Sequence, residues 1–279
     1  MPLWTEIADR VYVRRYEPLD ISITLIAGDG GLLLVDTRCN PREAKEIQTD
    51  ATGLGLGDIT RVVNTHAHYD HSFGNSVFAP TATIYGHAGI PAHFATWEAP
   101  RLDAWRHSPD AQPQYDWHGV ELVAPSELIA ATTELDLGNR VVRLIPLGPG
   151  HTDTDLVVQV PDAGAWIVGD VIEESGPPMY GSGSFPLDWP VQVHALAELM
   201  GDGDLVVPGH GAVVNASFVH DQAGVLAQVA TGIRSSFSRS EPLELVVDRI
   251  VSETGLPDAH VEAAVYRGYT LLAGSDGGR

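Results

Sequence analysis

Residues 64–75 read NTHAHYDHSFGN, which sets His66, His68, Asp70 and His71 inside one short span. The residues just before it, Arg61-Val62-Val63-Asn64, are apolar and β-branched, the composition of a buried strand. Three imidazoles crowded at a strand end repel one another when protonated. Neutral and dry, each needs its own partner. A divalent cation removes both difficulties. His66 and His68 are two apart, so extended backbone points both side chains to one face. The turn that follows can fold Asp70 and His71 back over the same point. Imidazole nitrogens and carboxylate oxygens are ligands that Zn²⁺, Fe²⁺ and Mn²⁺ accept.

Three later segments repeat the form of a strand ending in a ligand-type residue. Residues 141–147 run into Gly148-Pro149-Gly150-His151-Thr152-Asp153, residues 165–168 into Gly169-Asp170, and residues 204–207 into Pro208-Gly209-His210-Gly211. A glycine before each ligand removes Cβ bulk, so the backbone can turn sharply and come close to an ion.

The series HxHxDH, GHT, GD and PGHG, in that order over roughly residues 11–215, resembles the metallo-β-lactamase superfamily. The resemblance implies an α/β fold, a four-layer αββα sandwich with its site at one edge between the sheets. It implies that His66, His68 and His151 hold one metal and that Asp70, His71 and His210 hold the second, with Asp170 bridging both. The implied cofactor is Zn²⁺, two per chain, with Fe²⁺ or Mn²⁺ as the alternative. Such a pair shares a water, lowers its pKa and supplies hydroxide for the hydrolysis of a small ester, thioester, lactone or amide. Asp70 is then the catalytic residue, orienting the nucleophile and moving its proton, while Thr65 and Thr152 are placed to hydrogen-bond the ligands.

The secreted di-zinc β-lactamases are similar in the stretch PLGPGHTDTDLVVQVPDAGAWIVGD, yet they carry a cysteine where this chain has Asp170. They also often grip the drug carboxylate with a lysine shortly after that cysteine, and no such lysine is visible here. Asp170 matches the broader hydrolase branches, glyoxalase II and lactonases among them, which leaves β-lactam cleavage as a side activity. A sulfur dioxygenase branch uses a single iron on two or three of the same ligands and is the alternative reading.

The chain has 279 residues, 44% of them hydrophobic, which is ample for a core. Its net charge of −21, from 16 basic and 37 acidic side chains, repels phosphate backbones and anionic lipid surfaces. Nucleic acid and membrane are therefore excluded as partners, and a small-molecule substrate is expected. No apolar stretch reaches the length of a membrane span, and MPLWTEIADRVYVRR lacks the features of a signal peptide. With Cys39 as its single cysteine, the chain can form no internal disulfide, which fits a cytoplasmic setting.

Strands are expected at residues 11–13, 21–27 and 32–36, the last two joined by Gly28-Asp29-Gly30-Gly31, and further on at 61–65, 81–85, 140–147, 155–160, 165–168 and 205–207. Helices are expected at 41–52, capped by Asn40, within 87–96, and at 190–200. The chain divides into a core at 1–215, with an aperiodic insertion at 98–130, and a helical extension at 216–279 packed on the same domain. That extension holds three helices broken near 238–242 and 255–257, and it either covers the site or makes a homodimer contact. Residues 98–120 and 173–189 are expected to wall the substrate pocket, with Trp105, His107, Tyr180 and Trp189 lining it, joined by Tyr115 and Trp117. His87, His93, His118, His194, His220 and His260 lie outside ligand context.

Overall fold

The computed structural model describes residues 4–108 and 115–276. Its first half forms β1 (Thr5–Ala8), β2 (Val11–Tyr16), β3 (Ile21–Gly28), β4 (Gly31–Val35), α1 (Pro41–Thr52) and β5 (Ile59–Asn64). The one-turn helices α2 (Tyr69–Ser72) and α3 (Asn75–Phe78) follow, then β6 (Thr83–His87), α4 (Ile90–His93), a π-helical turn (Phe94–Glu98), α5 (Ala99–His107) and β7 (Glu127–Ile129). The second half forms β8 (Thr133–Asp136), β9 (Val141–Pro146), β10 (Leu156–Val160), β11 (Ala165–Glu173), α6 (Trp189–Ala197), β12 (Leu205–His210) and β13 (Val214–Asn215). Three helices close the chain: α7 (Ala216–Ser238), α8 (Leu243–Thr254) and α9 (Asp258–Asp276).

Apolar residues occupy both faces of the central strands, and this builds layers. On β3 and β4, Ile23, Leu25, Leu32 and Leu34 pack against Ala44, Ile47 and Ala51 of α1. The alternate residues Ile26, Leu33 and Val35 point the other way, onto Leu144, Leu156, Val158 and Ile167 of the second half. On β11 the same period of two sends Ile167 inward, while Trp166 and Val168 face Val193 of α6, Leu226 of α7, Ile250 of α8 and Val265 of α9. The order is thus helix, sheet, sheet, helix, an αββα sandwich with extra C-terminal helices on its second face.

The strand order runs β7-β6-β5-β4-β3 and continues β12-β11-β10-β9-β8, with β2 on β3, β1 on β2 and β13 on β12. Among the described residues, the one ladder pair joining the two halves is His210 with Ile21. The parallel run β4-β5-β6 carries the strand that opens the ligand stretch.

Helix α1 forms where the sequence places it. Asn40 Oδ1 accepts from Glu43 N at 3.0 Å and Asn40 Nδ2 donates to Glu43 Oε1 at 2.9 Å. Such a cap is worth about 1 kcal/mol. The breaks between the terminal helices also fall where expected.

Several elements differ from the sequence reading. β1, β8 and β13 carry no strong apolar alternation, because they are short edge strands with exposed side chains. β7 lies inside the 98–130 stretch and extends the sheet edge beside β6, so part of that stretch is sheet. β11 runs past Val168 to Glu173 by way of two register shifts, and Asp170 sits within the irregular part. Residues 109–114 of the stretch lie outside the described residues. Among the described residues no helix is long and apolar enough to cross a membrane.

Candidate metal centre

Directly after β4 stands Asp36, a buried carboxylate at φ 67° that organises the residues above it. Asp36 accepts from Thr65 N at 2.8 Å and from Thr65 Oγ1 at 2.7 Å, and Nδ1 of His71 donates to it at 2.8 Å. The Thr65 hydroxyl has given its proton to Asp36, so it accepts from Nδ1 of His66 at 3.1 Å. Nε2 of His68 donates to the carbonyl of Ser182 at 3.0 Å, and Nδ1 of His210 to the carbonyl of Leu19 at 2.8 Å. Each of these four rings is therefore held by one nitrogen and turns the other toward a common centre. This is how metal-binding imidazoles are oriented.

The bare atoms converge. One group comprises His66, His68, His151 and Asp170 and another Asp70, His71, Asp170 and His210, with the ligand atoms of each group all within 4.8 Å of one another. Asp170 belongs to both. His71 Nε2 lies 3.0 Å from Asp170 Oδ1, and His210 Nε2 lies 3.3 Å from Asp70 Oδ2. His68 Nδ1 and His151 Nε2 face each other at 3.0 Å. His66 Nε2, His71 Nε2 and Asp170 Oδ1 are buried and have no hydrogen-bond partner among the described residues. Buried polar atoms are ordinarily satisfied, so this cluster of imidazole and carboxylate donors fits divalent ions of the zinc type.

Charge follows the same geometry. Burial, then the neighbouring His71, pushes His66 well below its ordinary value. Burial also pushes His68 and His151 down to about 4, and these rings are neutral and ready to ligate at pH 7. Burial pulls His71 down too, but the carboxylates of Asp170, Asp70 and Asp36 outweigh it and hold the ring well above its usual range. Asp170 does the same for His210. Burial raises Asp170 itself, yet His71, His210 and His66 together hold it well below the usual carboxylate range.

Two glycines permit the approach. A Cβ on Gly209 would stand 1.8 Å from Asp170 Oδ1, and one on Gly169, at φ +56°, would meet Thr65 Oγ1 at 2.6 Å.

A cavity of about 410 Å³ opens over the cluster, bordered by His68, Asp70, His151, Asp170 and His210 and walled by Leu19, Tyr69, Arg101, Glu173 and Met179. Trp105, His107, Tyr180 and Trp189 do not border it. Trp189 is fully buried behind His151, ring centroids 5.2 Å apart, with Nε1 donating to the Val171 carbonyl at 3.1 Å. Tyr180 packs on Trp189 at 5.3 Å. Trp105 stacks on Trp117 at 4.4 Å, behind Tyr69, and His107 is exposed at the end of α5. Trp105 on α5 and Trp189 at the start of α6 thus pack these elements onto the body.

Thr65 bonds the ligands as expected, whereas Thr152 turns its hydroxyl to Asp155 at 2.6 Å. Of the histidines outside the motifs, His93 is buried against the centre, with Nδ1 2.6 Å from Asp153 Oδ1 and its ring 5.8 Å from that of His68. Arg101 and Ser182 border the cavity from within the stretches 98–120 and 173–189 expected to wall it, whereas the site roles of Asp36 and Leu19 are absent from the sequence reading. Asp36 had a signal, since Leu32-Leu33-Leu34-Val35-Asp36 has the same strand-then-carboxylate form as residues 165–170. Leu19 and Ser182 act through main-chain carbonyls and leave no trace in residue type.

Comparison with known proteins agrees with this geometry. The profile of the Metallo-beta-lactamase superfamily matches residues 16–210. "Metallo-beta-lactamase type 2" of Bacillus cereus is 25% identical over 185 residues, 66% of this chain and 64% of that protein, so the match spans just under two thirds of the relative. "Metallo-beta-lactamase domain-containing protein 1" of Xenopus laevis is 27% identical over 198 residues, covering 69% of this chain and 71% of the relative. Among solved structures, a double mutant of the sec-alkyl sulfatase PisA1 superposes on 95% of this chain and 50% of its own, with a TM-score of 0.77 and 17% identity. That coverage takes in the terminal helices beyond the profile match. A seven-residue donor cluster at the joint of an αββα sandwich, with the profile covering most of the sequence, places this chain in the metallo-β-lactamase superfamily.

Proposed function

We propose that the protein is a hydrolase that holds two zinc ions and cleaves a small ester, thioester, lactone or amide. The observation that carries the reading is the sharing of Asp170 between two buried donor groups. His66, His68 and His151 would hold one ion, Asp70, His71 and His210 the other, and Asp170 both. Bound there, such ions supply a water of lowered pKa and a Lewis acid for the substrate oxygen.

The chain's own residues do the rest. Asp70 stands at the cavity floor, 3.3 Å from His210 Nε2, and orients the attacking water while taking its proton. Leu19, Tyr69 and Met179 narrow the cavity and displace solvent from the reacting carbonyl. A cavity of about 410 Å³ suits a small substrate. Asp170 in place of a cysteine favours the broader hydrolase branch over a dedicated β-lactamase, with β-lactams as side substrates. The single buried Cys39 fits a cytoplasmic setting.

Metal content by plasma mass spectrometry, on protein purified without chelator or polyhistidine tag, is the test. About two zinc per chain, with turnover in a screen of esters, thioesters, lactones and β-lactams, supports the reading. One iron per chain with oxygen uptake on persulfides replaces it with a dioxygenase.

A further inference from the structure

Glu173 ends β11 and borders the cavity beside Asp170 and His210. Its residue is 6% exposed, and its main-chain N–H is fixed by a hydrogen bond of 3.1 Å to Gln222 Oε1. No hydrogen bond or ion pair from a described residue reaches its carboxylate, and it is not among the groups whose atoms converge on the two ion positions. Because Glu173 borders the cavity, its carboxylate is left for a group that enters there.

The rest of the wall says what kind of group that is. Among the described residues, Arg101 is the only lysine or arginine bordering the cavity, and it is already matched. Its guanidinium lies 3.3 Å from Glu98 Oε1, a fully buried carboxylate, and donates to the Ser182 hydroxyl. Asp70 and Asp170 are taken by the ions on the reading above. Glu173 is thus the carboxylate of the wall with neither an ion on that reading nor a hydrogen-bond partner among the described residues, and the net charge of −21 favours the approach of cations over anions.

We propose that Glu173 is a substrate-binding residue that accepts a protonated amine, so that the substrate is a small ester, thioester, lactone or amide bearing an ammonium group close to its scissile carbonyl. This rests on the two-ion hydrolase reading.

Binding can be read without turnover. The protein is loaded with cobalt(II) and titrated with three thiols: cysteamine, which carries an ammonium, ethanethiol, which is neutral, and 3-mercaptopropionate, which carries a carboxylate. The thiolate-to-cobalt charge-transfer band reports occupancy for each. Comparing each thiol between wild type and variant cancels differences in thiol acidity. Glu173→Gln is expected to weaken cysteamine by about tenfold, the scale of a charged hydrogen bond, and to leave ethanethiol within about twofold. Glu173→Lys is expected to shift the preference to 3-mercaptopropionate.

Equal changes for all three thiols, or none, overturn the proposal. So does loss of cobalt from Glu173→Gln, which would make the carboxylate an ion ligand. A wild-type protein that takes up no cobalt, or shows no charge-transfer band with any thiol, overturns the hydrolase reading itself and this proposal with it.

Discussion

Oδ2 of Asp36 stands 2.8 Å from Nδ1 of His71 and so decides which nitrogen of that ring faces the donor cluster. The other oxygen of the same carboxylate holds Thr65 N at 2.8 Å, on the bend that carries His66. One buried residue from the end of β4 thus sets two imidazoles delivered by β5.

Replacing Asp36 tests that arrangement. Asp36→Ala strands the Thr65 and His71 donors and should cost about 3–5 kcal/mol of stability, the scale for breaking a buried charged network. Asp36→Asn keeps the left-handed backbone tolerable and should mainly lower ion affinity, by about 10–100-fold. Chelator competition and urea denaturation measure the two effects. Wild-type affinity in both variants would show that Asp36 orients nothing.

Ion uptake should release protons. His71 and His210 are held well above their ordinary value of 6.5 by the carboxylates around them, so the ion-free protein still carries protons there at pH 7. Zinc must displace them, and its apparent affinity rises with pH until the raised pKa values are passed. The ion-free fold behaves in the opposite way. Its stability from these protonated rings is fully present below about pH 6.5, the unfolded value, and is lost as pH rises through the raised values. Calorimetry in two buffers of different ionisation enthalpy counts the protons. Melting of chelated protein from pH 6 to 9 follows the stability, and no decline over that range would contradict the assignment.

Gly209 leaves no room for a side chain. Gly209→Ala would place Cβ 1.8 Å from Asp170 Oδ1, and relief by moving Asp170 removes the shared ligand. We expect a loss of about 1–3 kcal/mol and a drop from two bound ions, read by mass spectrometry. A fully loaded Gly209→Ala protein would mean that Asp170 bridges nothing.

The terminal helices reach the site through a loop. Arg267 of α9 donates to the Ser184 carbonyl at 2.7 Å and lies over the rings of Trp97 and Phe185. Two residues away, the Ser182 carbonyl holds His68. Arg267→Ala should therefore speed hydrogen exchange across residues 174–188 and weaken the ion bound by His68 more than the ion bound by His210. Equal weakening of both ions would point to a general loss of stability.

The ligand positions were legible because metal chemistry limits residue types so severely. Four strand ends rich in His, Asp and Gly suit few roles besides holding an ion, and the structure brings those side chains to one place. The stretches that wall the pocket were legible too, since Arg101 and residues from Glu173 to Ser182 border it, but the side chains that line it were not. Aromatic residues serve packing and substrate contact alike, and nothing in the sequence around Trp105 or Trp189 separates the two. The carbonyls of Leu19 and Ser182 lie further out of reach, since any residue supplies one. Edge strands such as β8 escaped notice because exposed side chains weaken the alternation that marks a strand.

The joint between the two sheets bears on how long the molecule lasts. Among the described residues the sheets share a single ladder pair at His210 and Ile21, while each donor group draws side chains from both halves of the chain. A bound ion therefore works as a fastener that can be put in and taken out. A chain waiting for its ions holds that corner by hydrogen bonds such as Leu156 N to Thr65 O at 2.7 Å and Gly211 N to Asp20 O at 3.0 Å, and an ion added across it should slow local opening and proteolysis. On this arrangement the supply of metal would bear on the lifetime of the polypeptide as well as on its chemistry.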